Sequence, residues 1–279
     1  MILIKLDYFT LLSPEPISIN GVFNIKSPTL REISKIGNGL QSFYVYRTYV
    51  NSLLMDKDSY YETINNNGEE YFYNYTDNDK NTILNIKAQY DNMSVEDKNK
   101  IHFFDLLKYD INLLNIITEA LNFFIIENVS FSTDNCVFLI SNEENKLLWY
   151  LDNNSYKLIT DIIFQRINIK KEDSEYDGAK VKNKLASKLL EKMKKANKIK
   201  KQKEDKKMEM PNIISSLAAH GEGLNIINIW DLTVYQLYDQ FTRQRLGDSF
   251  KLSSANVAAW GDSEGKFDDT IWFSYLQDD

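Results

Sequence analysis

The amino-acid sequence predicts an α+β fold, mostly helical, with small antiparallel hairpins in an N-terminal domain, then a basic helix and a small helical C-terminal lobe. Three observations predict it. Apolar residues recur at helical spacing in several segments, most continuously from Asp110 to Glu127. The pair Asn20-Gly21 separates the short apolar runs ISI and VFNI, a hairpin signal because Asn and Gly tolerate positive φ. The runs CVFLI (Cys136 to Ile140) and LLWYL (Leu147 to Leu151) flank the polar stretch Ser141 to Asn145 and predict a second hairpin.

Taken in order, Ile2 to Lys26 alternates apolar runs (ILIKL, ISI, VFNI) with turn chemistry, which predicts a small antiparallel sheet. Ser27-Pro28-Thr29 predicts a helix start, with Ser27 as cap and Pro28 at the first helical position, where its missing donor costs nothing. Leu30, Ile33 and Ile36 continue one face until Gly37-Asn38-Gly39 stops it. Phe43, Tyr44, Tyr46, Val50, Leu53 and Leu54 predict an amphipathic helix within Leu40 to Met55. The Asn-, Asp- and Tyr-rich stretch Asp56 to Asp79 predicts an irregular surface excursion. Ser94 caps a helical segment that precedes Ile101 to Tyr109 and places His102 partly buried on a helix. Leu113, Leu114, Ile117, Leu121 and Phe124 share one face and predict the central helix of the first domain. Leu158, Ile162, Ile163 and Ile167 predict another helix after the second hairpin.

The organisation that follows is an N-terminal α+β domain over 1–169, a basic helical linker over 170–210 and a Trp-rich helical region over 211–279. The last of these is small enough to have a marginal core, so it is expected to dock on the first domain or on another subunit. Within it, Thr233 and Gln236 form a capping box, and Val234, Leu237, Tyr238 and Phe241 make the apolar face of the helix it opens.

Composition narrows the function classes. The 279 residues include one cysteine, Cys136, which excludes an intramolecular disulfide framework or a Cys-rich zinc site and fits a reducing, intracellular setting. The most apolar long stretch, Ile111 to Ile126, is interrupted by Asn112, Asn115, Glu119 and Asn122, so no membrane span is predicted. Net charge is −7, yet residues 180–207 hold thirteen Lys and a local +10, which leaves −17 elsewhere. Val181, Leu185, Leu189 and Met193 recur every four residues there, so a lysine-coated, solvated helix accounts for the run. Contact with a protein is the second reading and nucleic acid the third, weakened because the run has neither Arg nor an aromatic to stack on a base.

Catalytic and metal chemistry finds little support. Gly261-Asp262-Ser263-Glu264-Gly265 matches G-x-S-x-G literally, but no His follows it in the chain to take the serine proton. Asp77-Asn78-Asp79 begins like a calcium loop and fails at Thr82 and Ala88, where Gly and Glu belong. Gly37-Asn38-Gly39 lacks the third Gly and the Lys of a phosphate loop. His220-Gly221-Glu222-Gly223 has no second ligand nearby and reads as a loop histidine. The prediction is a non-enzyme without a cofactor. The aromatics Trp230, Tyr235, Tyr238, Phe241, Trp260 and Trp272 fit either core packing or partner contact, and they are the candidate protein-binding residues.

Several segments carry a family resemblance: SPEPISINGVFNIKSPTLREI (Ser13 to Ile33), IHFFDLLKYDINLL with LNFFIIENVSF, the basic run, PNIISSLAA, IWDLTVYQLYDQF (Ile229 to Phe241), and AAWG with FDDTIW. Together they resemble a group of phage proteins encoded in tail-gene clusters of Gram-positive hosts, associated with tail assembly chaperones. The resemblance implies binding of the long tape-measure protein, which is kept soluble while the tail tube grows. It also implies an intracellular setting, in the host cytoplasm; a homo-oligomer is compatible with it, nucleic acid stays the least favoured partner, and no membrane partner is expected. Many tail chaperones are short helical proteins made as two products by frameshifting, whereas this chain is long and opens on a sheet. The alternative within the same context is a tail, neck or baseplate subunit retained in the virion.

Overall fold

A computed structural model describes residues 5–169, 208–221, 223–263, 265–274 and 276. The basic run at 180–207 lies outside them. The fold is α+β and mostly helical, with a two-stranded and a three-stranded antiparallel sheet. The chain divides into two compact units, Met1–Arg166 and Ile167–Asp279.

In the first unit, β1 (Ile17–Ile19) and β2 (Phe23–Ile25) pair antiparallel around Asn20 and Gly21, whose φ values of 52° and 70° are those the turn requires. β2 buries Phe23 and Ile25. Ile25 bridges Ile125, and Asn24 donates both its backbone N–H and its side-chain amide to Glu127 at 2.8 Å each, so the hairpin is stitched to the chain just after the central helix. Lys5 and Leu6, at the end of the first apolar run, are not in a strand; Asp7 instead caps a short helix, α1 (Tyr8–Leu12), by accepting from the Thr10 N–H at 2.9 Å. The expected helix start at Ser27 moves by two residues. Thr29 is the cap of α2 (Leu30–Lys35), because Glu32 three residues on completes a capping box that Ser27 cannot form. Gly37 and Asn38 end that stretch with φ of 62° and 58°.

Helix α3 (Ser42–Leu53) buries Tyr46, Val50 and Leu53 and leaves Tyr44 exposed. The next segment overturns the expectation of an irregular excursion. It folds as α4 (Lys57–Asn67), a 3-10 turn (Gly68–Phe72) and α5 (Asp77–Asp91). The polar residues that suggested a loop act as caps: Asp56 forms a capping box with Ser59, and Thr76 accepts from the Asp79 N–H. Tyr60, Tyr61, Ile64, Phe72, Ile83 and Tyr90 supply the buried face, and beyond Ile64 they are seven to eleven residues apart, too widely spaced for a local periodicity to show.

Ser94 caps α6 (Val95–Lys100), and α7 (Phe103–Leu107) follows as a separate helix. His102 is not a partly buried helical residue: it is exposed at the N-terminal cap of α7, where its backbone N–H donates to Asp105 at 2.9 Å. α8 (Ile111–Phe124) buries Leu113, Leu114, Ile117, Ala120, Leu121 and Phe124 and is the centre of this unit. Burying each of its large apolar side chains contributes about 1.5–3 kcal/mol relative to exposure. The second sheet has an extra strand: β3 (Asn128–Ser132), β4 (Val137–Ser141) and β5 (Leu147–Leu151) lie in that order, with a bulge at Ile140/Ser141. Phe138 and Ile140 of β4 point into the core, where Phe104 meets Phe138 and Tyr156 edge-on, each with centroids 5.1 Å apart. α9 (Asn153–Arg166) closes the unit. Its terminal Arg166 is 1% exposed, donating to the carbonyl of Thr10 and, at 2.6 Å, to that of Glu15, which pins the Ser13–Pro16 turn.

Candidate functional site

Among the described residues the second unit is built on two α-helices. α10 (Met210–His220) starts with Pro211, whose fixed φ and missing donor suit a helix start, and buries Met210, Ile213 and Leu217. His220 is the last residue of that helix, exposed, and not in the loop that follows. The loop is organised by asparagines: Asn228 accepts the Asn225 N–H at 2.7 Å and donates to the Gly223 carbonyl at 2.9 Å. It leads to the capping box at Thr233, whose hydroxyl accepts from Gln236 N–H at 3.2 Å while Gln236 Oε1 accepts from Thr233 N–H at 2.9 Å. α11 (Val234–Trp260) then runs 27 residues, packs on α10 and buries Val234 and Leu237 in its first turn.

Gly261, at φ 77°, ends α11, and Asp262 turns the chain by accepting from the backbone N–H groups of Lys266 (3.0 Å) and Phe267 (2.9 Å). The chain returns along the helix it has just left. Phe267 stacks on Phe250 with centroids 5.9 Å apart, and Arg243 donates to the Ser274 carbonyl at 2.6 Å. Ser263 of the G-x-S-x-G string therefore sits in an exposed turn after a helix, where a nucleophile elbow has a strand before it.

The six candidate aromatics fall into two groups. Trp230, Tyr235, Tyr238 and Phe241 are half-buried around the capped start of α11. The Trp230 indole N–H donates to the Ile226 carbonyl at 2.9 Å, burial pushes the Tyr238 hydroxyl pKa up, and the Arg245 guanidinium lies 5.8 Å from the Phe241 ring centroid. Trp260 is 87% exposed and Trp272 51%, with Phe273 packed edge-on against Trp272 at 4.8 Å. Phe241 and Trp260 are 19 residues apart on one helix, roughly 28 Å at 1.5 Å per residue, so the six do not form a single patch. Trp260, Trp272 and Phe273 are the well-exposed aromatics among the described residues of this unit.

Sequence reasoning missed a second arrangement, in the first unit. Asp110, fully buried, caps α8 by accepting from the Leu113 N–H at 3.0 Å and also accepts from three tyrosine hydroxyls: Tyr60 (3.1 Å), Tyr71 (2.7 Å) and Tyr75 (2.6 Å). Burial, followed by the negative charge of Asp110, raises all three phenol pKa values well above the ordinary one. Beside this centre are two open cavities of about 520 and 490 Å³, both lined by α3 and α8 and sharing Asn115. At the second, Tyr49 donates to Glu119 at 3.0 Å, and burial together with that carboxylate pushes its pKa up to about 12. The visible signal was the row Tyr60, Tyr71 and Tyr75 upstream of an Asp that opens an apolar helix. Among the described residues no group of His, Cys, Asp and Glu is placed to hold a metal ion, and no helix is long and apolar enough to cross a membrane.

The protein-family model described as the YomV second domain matches residues 200–277. Over that stretch the chain is similar to the YomV second domain. The family is phage-derived, from a Bacillus prophage, and the match supports a phage protein. It spans α10, α11, the loop between them and the returning segment, which together carry all six candidate aromatics. No curated protein and no solved structure matches the chain.

Proposed function

We propose that this phage protein is a non-catalytic tail assembly chaperone, working in the host cytoplasm, that binds amphipathic segments of the tape-measure protein and keeps them soluble while the tail tube grows. The observation that carries the reading is the exposure of Trp260, Trp272 and Phe273 in the YomV-like unit, since large aromatics open to solvent are the residues that anchor protein interfaces. The half-buried set around Tyr238 shapes the unit that presents them. The tape-measure protein as partner rests on the family resemblance of the sequence.

Quantitative mass spectrometry of purified particles beside the lysate of induced cells tests the role. Abundance in the lysate with absence from particles is the expected outcome; fixed stoichiometry in particles makes the protein a structural tail, neck or baseplate subunit. A pull-down of the tape-measure protein tests the surface. Alanine at Trp260 and at Trp272 should each weaken it by more than about 1 kcal/mol, roughly fivefold, with the thermal midpoint unchanged because neither ring is in the core. Equal retention by wild type and both variants sinks the proposed surface.

A further inference from the structure

We infer that the seam between α3 and α8 is a second docking site, separate from the C-terminal aromatics, which takes an extended, lysine-bearing peptide segment of a partner protein. Two cavities of about 520 and 490 Å³ lie along α8 and have Asn115 as a common lining residue. Tyr71, Tyr73 and Tyr75 wall the first, and Tyr49, Gly37 and Phe123 the second. From Asn112 to Phe123 the helix advances 11 residues, roughly 16 Å at 1.5 Å per residue, the length of about five residues of extended chain.

The groove's chemistry selects the ligand. The side-chain amides of Asn51 and Asn115 line it and hydrogen-bond no other described residue. Each offers one donor group and one acceptor, the complement of a peptide unit's C=O and N–H. A helix has already satisfied those backbone groups internally, so the free amides favour an extended segment. The neighbouring amides are spent: Asn112 donates to the Asn74 carbonyl at 3.1 Å, and Asn122 is held by the Val129 backbone. Two carboxylates, Glu70 and Glu119, line the groove, and no Lys, Arg or His does. Lys26, 4.9 Å from the Phe123 centroid, is already paired with Glu32 at 2.9 Å. A phosphate-bearing ligand meets repulsion there. An ammonium group meets one carboxylate in each cavity: Glu70 beside Tyr73, which is 88% exposed, in the first, and Glu119, which also accepts from Tyr49, in the second.

The test uses the full chain. A random heptapeptide library is panned against the immobilised protein, and the selected peptides are synthesised and titrated by fluorescence anisotropy. The expected pool is enriched in Lys and Arg and depleted in Asp and Glu. Asn115→Ala and Glu119→Gln, both at exposed positions, should each weaken the selected peptides at least tenfold with unchanged circular dichroism, while Trp260→Ala leaves them unaffected. A pool with no cationic enrichment, or peptides that bind both groove variants as well as wild type, overturns the proposal. So does displacement of the selected peptides by a Lys180–Lys207 peptide combined with tighter binding when that run is deleted, which would assign the groove to the chain's own basic segment.

Discussion

Asp110 is the residue on which the first unit concentrates its polar interactions. It closes the N-terminus of α8, where the helix dipole favours a negative charge, and gathers hydroxyls from α4, the 3-10 turn and the loop after it. Hydrogen bonds to a charged group contribute about 1.5–3 kcal/mol each, and removing the acceptor leaves buried donors without a partner. Asp110→Ala should therefore lower unfolding stability by about 3–5 kcal/mol, read as a shift of the urea midpoint. Tyr71→Phe, which removes one donor and keeps the ring, should cost about 1–2 kcal/mol. The same centre dictates an alkaline limit. The phenol pKa values of Tyr60, Tyr71 and Tyr75 are raised in the folded protein, so their contribution is complete below the unfolded tyrosine value of about 10 and is lost as pH rises above it. Tyr49 adds to this between about 10 and about 12. Midpoints measured from pH 8 to 12 should fall steadily above about pH 10, and Tyr71→Phe should flatten the slope. A midpoint independent of pH across that range would refute the arrangement.

At the scale of elements, local signals spoke clearly wherever a cap and a periodic face coincided. Thr233 is the clearest case: it is fully buried, its capping box is closed by Gln236, and Val234 and Leu237 anchor the first turn of α11. Thr233→Ala should cost about 1–2 kcal/mol and raise hydrogen exchange at the amides of residues 234–238 before any effect reaches the first unit. Equal exchange in wild type and variant would mean that α10 packing alone sets the helix start. The central helix α8, the Asn20-Gly21 hairpin and the β4–β5 pair were legible for the same reason, since period and turn chemistry agreed. The stretch from Asp56 to Asp79 was not. Asp56, Ser59 and Thr76 are caps that resemble loop composition, and Tyr60, Tyr71 and Tyr75 are held by a partner far away in sequence, Asp110. β3 was hidden likewise, because Val129 is its one fully buried residue and register comes from pairing with β4. Neither the Asp110 centre nor the α3–α8 groove leaves a local pattern, since each is assembled from segments 35 to 70 residues apart.

At the scale of the whole molecule, charge separates the remaining readings. Thirteen lysines in 180–207 give that run +10 in a chain whose other residues sum to −17. Were the run a nucleic-acid arm, neutralising several phosphates would release counterions and give a steep fall of affinity with salt. The acidic remainder opposes this, because a duplex approaching within a Debye length, about 8 Å at physiological ionic strength, also meets the repelling charge. The run carries no Arg to hold phosphates in bidentate fashion and no aromatic to stack on a base. The expected outcome is weak duplex binding at about 50 mM salt that disappears by about 150 mM and is abolished when 180–207 is deleted. Tape-measure capture through Trp260 and Trp272 should instead persist at the higher salt, since burial of aromatic surface is not screened. Titration of a labelled 30-bp duplex and of the tape-measure protein across the same salt series distinguishes the two. Duplex affinity that survives 150 mM salt and discriminates between sequences would make nucleic acid the partner and displace the chaperone reading.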